Sequence, residues 1–376
     1  MIRTGNLSTV DDSVSMLRYQ AHLRATVDWI RRSIEHGGGG SAAHFSYLHG
    51  WSAPYPETSG YIIPTLLDAA AHLEDDTLAA TAEKLGAWLL GLQHEDGWWP
   101  GGLLGRGAER KPSIFNSAQI IDGMVALARR NTDDRWRDAA LKGALWLART
   151  ADHQGLWQGG NYREGYNPSY YTQVAWPMLQ TWDLTGADEV RDAAVRALKR
   201  IVALRTPQGS IEGWGFDSGR AAYTHTIAYT LRGLIESALL LNDWEAFGEP
   251  CVAALERLNR KGELANGRLP GAYFEDWRAV DWYSCLTGNA QIALCLLRLE
   301  QREPDLRLVN GAAKLVDYVC KRQRIKGGIE STRGAVAGSS PPWGRYMFMR
   351  YPNWAAKYHA DALMLLRTRL RSEAAL

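Results

Sequence analysis

Six glycines at nearly even intervals constrain this chain more than any other feature. Gly37, Gly97, Gly155, Gly209, Gly267 and Gly327 follow one another at steps of 54 to 60 residues. Self-similarity at a fixed period marks a fold assembled from one repeated supersecondary unit. Each glycine closes a segment whose apolar residues recur at three- and four-residue steps, as in LEDDTLAATAEKLGAWLLGLQHED before Gly97 and LRLVNGAAKLVDYVCKRQRIK before Gly327. The spacing predicts amphipathic helices, each ended by a glycine in the left-handed conformation of a helix C-cap.

A second helix follows in every unit, with predicted N-caps at Ser59, Ser117, Thr172, Thr226, Thr287 and, more loosely, Asn353. Segments such as IIPTLLDAAAHL and IAYTLRGLIESALLL are apolar or small around most of the circumference, as suits an inner helix packed on all sides. Six copies make twelve helices. The expectation is an all-α fold in which six helical hairpins close into an (α/α)6 toroid, one domain over residues 1–376. An open solenoid would want polar caps at its ends, and the first and last units are no more polar than the others. From glycine to second helix the loops run 17 to 26 residues, well beyond ordinary connections. Long ordered loops on one rim carry function.

The first full unit, Lys84-Leu-Gly-Ala-Trp88-Leu89-x3-Gln93-x3-Gly97-x-Trp99, resembles the QW motif of the squalene cyclases and related terpenoid cyclases, with degenerate copies over 142–157 and 314–327. That resemblance implies the toroid of the squalene cyclase and prenyltransferase superfamily, in which the motif is structural. The superfamily's chemistry does not come with it. The DxDD acid cluster of class II cyclases is absent. Asp281, Cys285 and His359 do not match the spacing of the prenyltransferase zinc ligands, and Cys285 reads as a core thiol. The loop motifs SYLHGWSAPYPETSGYIIPTLL, IFNSAQIIDG, YTHTIAYTLRGLIE, CLTGNAQIAL and RYPNWAAKYHADAL resemble toroid proteins encoded beside bacterial polysaccharide-biosynthesis genes. More widely, the chain is similar to six-hairpin glycoside hydrolases, uronate lyases and sugar epimerases. Such a resemblance implies a glycan substrate, but a fold hosts many reactions and does not choose among them.

Composition narrows the partners. A formal net charge of +2 gives no global field toward nucleic acid or an anionic membrane. No apolar stretch reaches transmembrane length, and MIRTGNLSTVDDS lacks the apolar core of a leader, so cytoplasm is the expected compartment. Cys251, Cys285, Cys295 and Cys320 show no CxxC spacing and read as reduced core thiols. No metal or other cofactor is expected. Oligomeric state is not legible. The 16 Trp and 16 Tyr against 6 Phe supply flat faces with a hydrogen-bonding handle, suited both to helix junctions and to a sugar cleft. The GGGG run at 37–40 lacks a following GK[ST] and reads as a flexible turn. The tail LRTRLRSEAAL reads as a solvated final helix.

Residues at the inner-helix N-termini converge on the rim, where free N–H groups favour anions. The catalytic candidates are His225, Tyr171, Tyr229, Glu57 and Tyr283. Candidates for substrate binding are Asn116, Tyr55, Tyr170, Tyr223, Arg232, Trp51, Trp214, Arg345 and Asn353. An imidazole exchanges protons near neutrality, so His225 suits a base that takes C5–H from a uronate. Asn116 or Arg232 would then neutralise the carboxylate, and Tyr171 or Tyr229 would protonate the leaving oxygen. The same set without bond cleavage would epimerise C5. Hydrolysis would instead need two carboxyl groups, such as Glu57 with Asp217, Glu275 or Asp276. The leading expectation is elimination or C5-epimerisation on an acidic glycan. The rivals are a glycoside hydrolase, a noncatalytic glycan-binding toroid, and a cyclase-like enzyme without DxDD.

Overall fold

A computed structural model describes residues 9–374. Met1–Ser8 and the last two residues, which belong to the leader and tail readings above, lie outside the described residues. In chain order the helices are α1 (Thr9–Glu35), α2 (Pro56–Leu73), α3 (Thr77–Leu90), α4 (Ile114–Arg130), α5 (Asp134–Thr150), α6 (Thr172–Thr185), α7 (Asp188–Val202) and α8 (Thr224–Leu241). They continue as the one-turn α9 (Trp244–Phe247), then α10 (Glu249–Leu264), α11 (Leu286–Arg302), α12 (Leu306–Cys320) and α13 (Asn353–Ala374).

The inner ring is closed. Helix α2 packs on α4, α4 on α6, α6 on α8, α8 on α11, α11 on α13, and α13 returns to α2. Around it lie α1, α3, α5, α7, α10 and α12. This is the (α/α)6 toroid, with the one-turn α9 added to the twelve expected helices. Hydrophobic pattern decides which ring a helix joins. Outer α7 buries a single stripe of Val190, Ala193, Ala194, Ala197, Leu198 and Ile201, whereas inner α11 is buried at every position from Leu286 to Leu297. Inner helices turn into outer ones through very short connections, so the long loops all lie at the opposite end.

Paired two- and three-residue strands tie those loops together. They are β1 (His44–Ser46), β2 (Gly50–Trp51), β3 (Ala222–Tyr223), β4 (Ala272–Tyr273), β5 (Ala279–Val280), β6 (Ser284–Cys285), β7 (Ser339–Ser340) and β8 (Arg350–Pro352). Antiparallel β1 and β8 join the first loop to the last, with Phe45 opposite Tyr351. The order β3-β4-β5 joins the fourth loop to the fifth, and β6 with β7 joins the fifth to the sixth. Asn353 reinforces the seam. Its amide donates to Ser41 Oγ at 2.8 Å, Ala42 O at 2.9 Å and Thr58 Oγ1 at 2.9 Å.

The repeat glycines work differently from the helix caps expected of them. Helix α3 stops at Leu90, and Gly97 lies beyond it in a turn at φ 110°, where an added Cβ would stand 2.4 Å from Lys142 O on α5. Gly155 presses likewise on Ala197 of α7, and Gly267 on Lys314 of α12. These glycines let each turn lie against the next outer helix. In the sixth unit that contact belongs to Gly334, which abuts Ala25 O of α1, while Gly327 meets nothing within 4 Å. The QW residues act at the same joint. Trp99 Nε1 donates to Leu89 O at 2.8 Å, and Gln93 Nε2 donates to Gly97 O and to Ala139 O of α5, both at 3.0 Å.

The expected N-caps also shift. Ser59, Ser117 and Thr226 lie inside their helices, Thr172 and Thr287 within the first turn, and Asn353 opens α13. The reason is a different use of the hydroxyl. Ser59 Oγ donates back to Tyr55 O and accepts from Ser41 N at 2.8 Å, as Ser117 Oγ accepts from Trp99 N at 2.9 Å. Each serine thus pins the preceding loop to the inner helix. The GGGG run is packed rather than flexible, because Gly39 and Gly40 lie flat against Trp88. The final helix is not uniformly solvated, since Arg367 is buried. All four cysteines are free and buried, and no described helix is long and apolar enough to cross a membrane.

Candidate functional site

Loop ends and first helical turns place the polar side chains at the rim end of the bore. Pro56 opens α2 with its φ already suited to a helix, and Glu57 follows in the first turn. Once the Asn116 amide is oriented to suit its neighbours, its nitrogen donates to Glu57 Oε2 at 2.9 Å and to Ser113 Oγ at 3.2 Å. Its oxygen then accepts from Gly102 N at 3.2 Å. The Tyr55 hydroxyl also bonds the Glu57 carboxyl. Burial nevertheless lifts Glu57 to about 7, because removal from water penalises the carboxylate more than the tyrosine bond favours it.

His225, in the first turn of α8, has its Nδ1 2.6 Å from Gln291 Oε1. Because the amide oxygen accepts, the proton sits on Nδ1 and Nε2 keeps its lone pair. Burial pushes this imidazole down to about 4, against the effect of the Gln291 bond, so it is neutral at pH 7. Its ring packs 4.3 Å from Tyr229 and 5.3 Å from Tyr346, centroid to centroid. Those two tyrosines also feel the Glu57 charge. Glu57 and His225 therefore share one aromatic surround, completed by Tyr61, Tyr170 and Tyr358. Burial raises the phenol of each of these tyrosines, so all remain protonated donors.

Beside this cluster the rim opens into a cavity of about 330 Å³, lined by Phe216, Asp217, Arg220, Tyr223, Tyr283 and Arg345 among others. That volume lies within the range of small-ligand sites. Tyr346 lies between the cavity and the cluster, packing 4.9 Å from Tyr223, which lines the cavity, and 5.3 Å from His225. Asp217 is neutralised by Arg163 Nε at 3.0 Å. Among the described residues, Arg220 and Arg345 have no carboxylate partner, and the buried Tyr283 hydroxyl has no hydrogen-bond partner. The cavity thus offers two cations to an anionic ligand, with the Tyr283 hydroxyl buried behind its lining.

The sequence candidates divide accordingly. His225, Glu57, Asn116, Tyr55, Tyr229 and Tyr170 gather at the cluster, and Tyr223, Tyr283 and Arg345 line the cavity. Five others serve different ends. The Tyr171 hydroxyl is held by Asn161 Oδ1 at 2.7 Å. Arg232 lies deeper along α8, paired with Glu236 at 2.8 Å, because a guanidinium buried in the bore needs its own carboxylate. Trp51 stacks on His36 at the seam and lines a separate cleft. Trp214 is buried edge-on against Trp277, and Asn353 clamps the seam. Of the carboxylates considered for hydrolysis, Glu275 accepts from Gly213 N at 2.8 Å and Asp276 is paired with Arg278. Sequence reasoning missed Tyr61, Tyr358 and Arg220. Tyr61 carried a legible signal, since it stands four residues after Glu57 and shares its helix face.

No protein-family model matches the chain. It is 29% identical over 155 residues to squalene–hopene cyclase of Zymomonas mobilis, a match spanning 40% of this chain and 21% of the cyclase. Among solved structures it is similar to a sugar epimerase from a ruminal bacterium (TM-score 0.76, 12% identity, 94% of this chain and 99% of that one). It is also similar to an unsaturated glucuronyl hydrolase specific for heparin (0.74, 14%, 96% and 98%). A third is the unsaturated glucuronyl hydrolase from Bacillus sp. GL1 responsible for glycosaminoglycan degradation (0.70, 15%, 92% and 96%). At such identities the shared property is the six-hairpin toroid.

Proposed function

We propose that the protein is a carbohydrate-active enzyme that moves protons on a uronate-containing glycan, by β-elimination or C5-epimerisation. The observation that carries this reading is the pair of titratable groups with opposed shifts in one aromatic surround. Glu57 is raised to about 7 and His225 lowered to about 4. Near neutrality the carboxyl still holds a proton to give, and the imidazole has a lone pair to receive one. In the reaction, Arg220 and Arg345 hold the carboxylate of a neighbouring uronate at the mouth, while the tyrosines of the surround support the reacting ring and their phenols donate to its carboxylate. His225 Nε2 takes the C5 proton. In elimination the C4–C5 double bond forms as the C4–O bond breaks, and Glu57 protonates the departing oxygen. In epimerisation Glu57 returns a proton to the opposite face of C5. Glu57 thereby takes the acid role first considered for Tyr171 or Tyr229.

A hydrolytic reading is the alternative, supported by the protonated state of Glu57 and by the named activities of the glucuronyl hydrolase neighbours. Glu57 would again be the acid, and His225 would activate water in place of a second carboxylate. The test is incubation with uronate oligosaccharides while following near-ultraviolet absorbance, reducing ends and, in deuterated water, label at C5. New absorbance, or label without cleavage, supports the proposal. Reducing ends without absorbance support hydrolysis, and tight binding with no change in the glycan defeats both.

A further inference from the structure

Where the ring closes, three buried side chains from its first and last units meet, and none has a part in the chemistry above. His22 comes from α1, Cys320 ends α12, and His359 lies in the second turn of α13. One ligand-capable atom of each falls within 4.8 Å of the other two. We propose that His22, Cys320 and His359 form a site of two imidazole nitrogens and one thiolate sulfur for a borderline-to-soft transition-metal ion, zinc(II) or copper(I), that fastens the seam of the toroid.

The sulfur-to-nitrogen separation fits. Metal–nitrogen bonds of about 2.0–2.1 Å and a metal–thiolate bond of about 2.3 Å give nitrogen-to-sulfur edges of about 3.5–3.6 Å in a tetrahedral site and about 3.8 Å in a trigonal one, and Cys320 Sγ lies 3.8 Å from His359 Nε2. Thiolate with imidazole is the donor set that selects these ions over hard cations. The support around His22 is that of a ligand. Its Nδ1 is 2.6 Å from Gln323 Oε1, and the Gln323 amide nitrogen donates to Thr26 Oγ1 and to Gly334 O, both at 2.7 Å. That amide cannot turn without losing both bonds, so it fixes the imidazole proton on Nδ1 and frees Nε2, as outer partners of metal-bound histidines do.

His359 is the unexplained member. It is fully buried, and its Nε2, the nitrogen that faces the site, meets only the thiol. A buried polar atom with so weak a partner is costly, and an apolar side chain would fill this place without that cost. The two histidines would ligate as neutral imidazoles and Cys320 as a thiolate, so binding would release the Cys320 proton.

The experiment uses the full chain, stripped with a chelator and titrated with cobalt(II), zinc(II) and, anaerobically against a competing chelator, copper(I). The expected result is one ion per chain, a thiolate-to-cobalt charge-transfer band and a higher melting temperature with zinc or copper. Cys320→Val should abolish the band and the metal-dependent stabilisation. Gln323→Met should weaken binding by about 10- to 100-fold. If Cys320→Val does not fold, His22→Gln serves for the same readouts. Failure to take up any of the three ions, or a cobalt band that survives Cys320→Val, overturns the proposal.

Discussion

Replacing Glu57 by Gln tests the proposed acid through stability as well as through turnover. The folded chain holds this carboxyl at about 7 against an ordinary value of 4.5. At about 1.4 kcal/mol per unit, ionising it in place costs about 3 kcal/mol. The sign follows from proton binding. Between the two values the folded chain keeps a proton that the unfolded chain has released, so stability falls as pH rises through that window. The full deficit is reached above about pH 7 and is absent below about pH 4.5. Glutamine keeps an oxygen for the Tyr55 hydroxyl, its nitrogen can donate to the Asn116 amide once that turns its oxygen inward, and it never ionises. The variant should therefore equal the parent at about pH 4 and exceed it by about 3 kcal/mol at about pH 8. With an unfolding entropy of about 2 cal/mol/K per residue, that is roughly 4 °C in Tm for a chain of this length. Calorimetric melts at the two pH values, at matched ionic strength, measure it.

Turnover should move the other way, falling at least ~10²-fold where a positioned acid is lost. In the parent, activity should decline above about pH 7 as Glu57 gives up its proton. A Tm difference that is the same at both pH values would show that Glu57 is not held protonated. Full activity in the variant would show that it is not the acid.

Three further outcomes follow from the geometry. His225→Gln should keep its melting transition and lose on the order of 10²-fold or more in turnover, whereas a purely structural histidine would give the reverse in melts and assays. Arg345→Ala should raise KM for uronate oligosaccharides roughly tenfold or more while leaving binding of neutral glycans nearly unchanged, as inhibition or calorimetric titration would read. Gly97→Ala combines a φ of 110° with a Cβ 2.4 Å from Lys142 O, whereas Gly102→Ala adds only a φ of 77° in open space. Denaturant melts should show losses of roughly 2–4 and about 1 kcal/mol respectively.

Much of the fold was legible because periodicity and burial are local matters. An all-round apolar segment such as α11 has nowhere to go but an inner ring, and a single-stripe segment such as α7 nowhere but the outer one. The joints were less legible. Gly97 and Gly267 are glycines because a carbonyl of the next outer helix lies against them, a long-range contact that leaves no mark distinct from a helix cap. The sixth joint shows this most clearly. The interval of the repeat points to Gly327, yet Gly334 makes the contact with α1, because the last turn must reach back to the first helix rather than forward.

At the candidate site, residue types were legible and environments were not. The sequence shows a carboxyl at the start of one inner helix and an imidazole at the start of another, each with an ordinary solvated pKa as its default. Their opposed shifts share a single cause, since removal from water disfavours whichever form carries charge and so raises an acid while lowering a base. The tyrosines supply that dry surround, while their hydroxyls remain available as donors. Arg232 shows the converse. A guanidinium in the bore is even costlier to bury unpaired, so it is matched to Glu236, itself shared with Arg298 at 2.6 Å, and is withdrawn from any substrate. The cations left for a uronate are those at the mouth, Arg220 and Arg345, where water still covers the charge until a ligand arrives. A carboxylate bound there would stand one aromatic wall away from His225, and that places the question of turnover on Tyr346, the ring between the two.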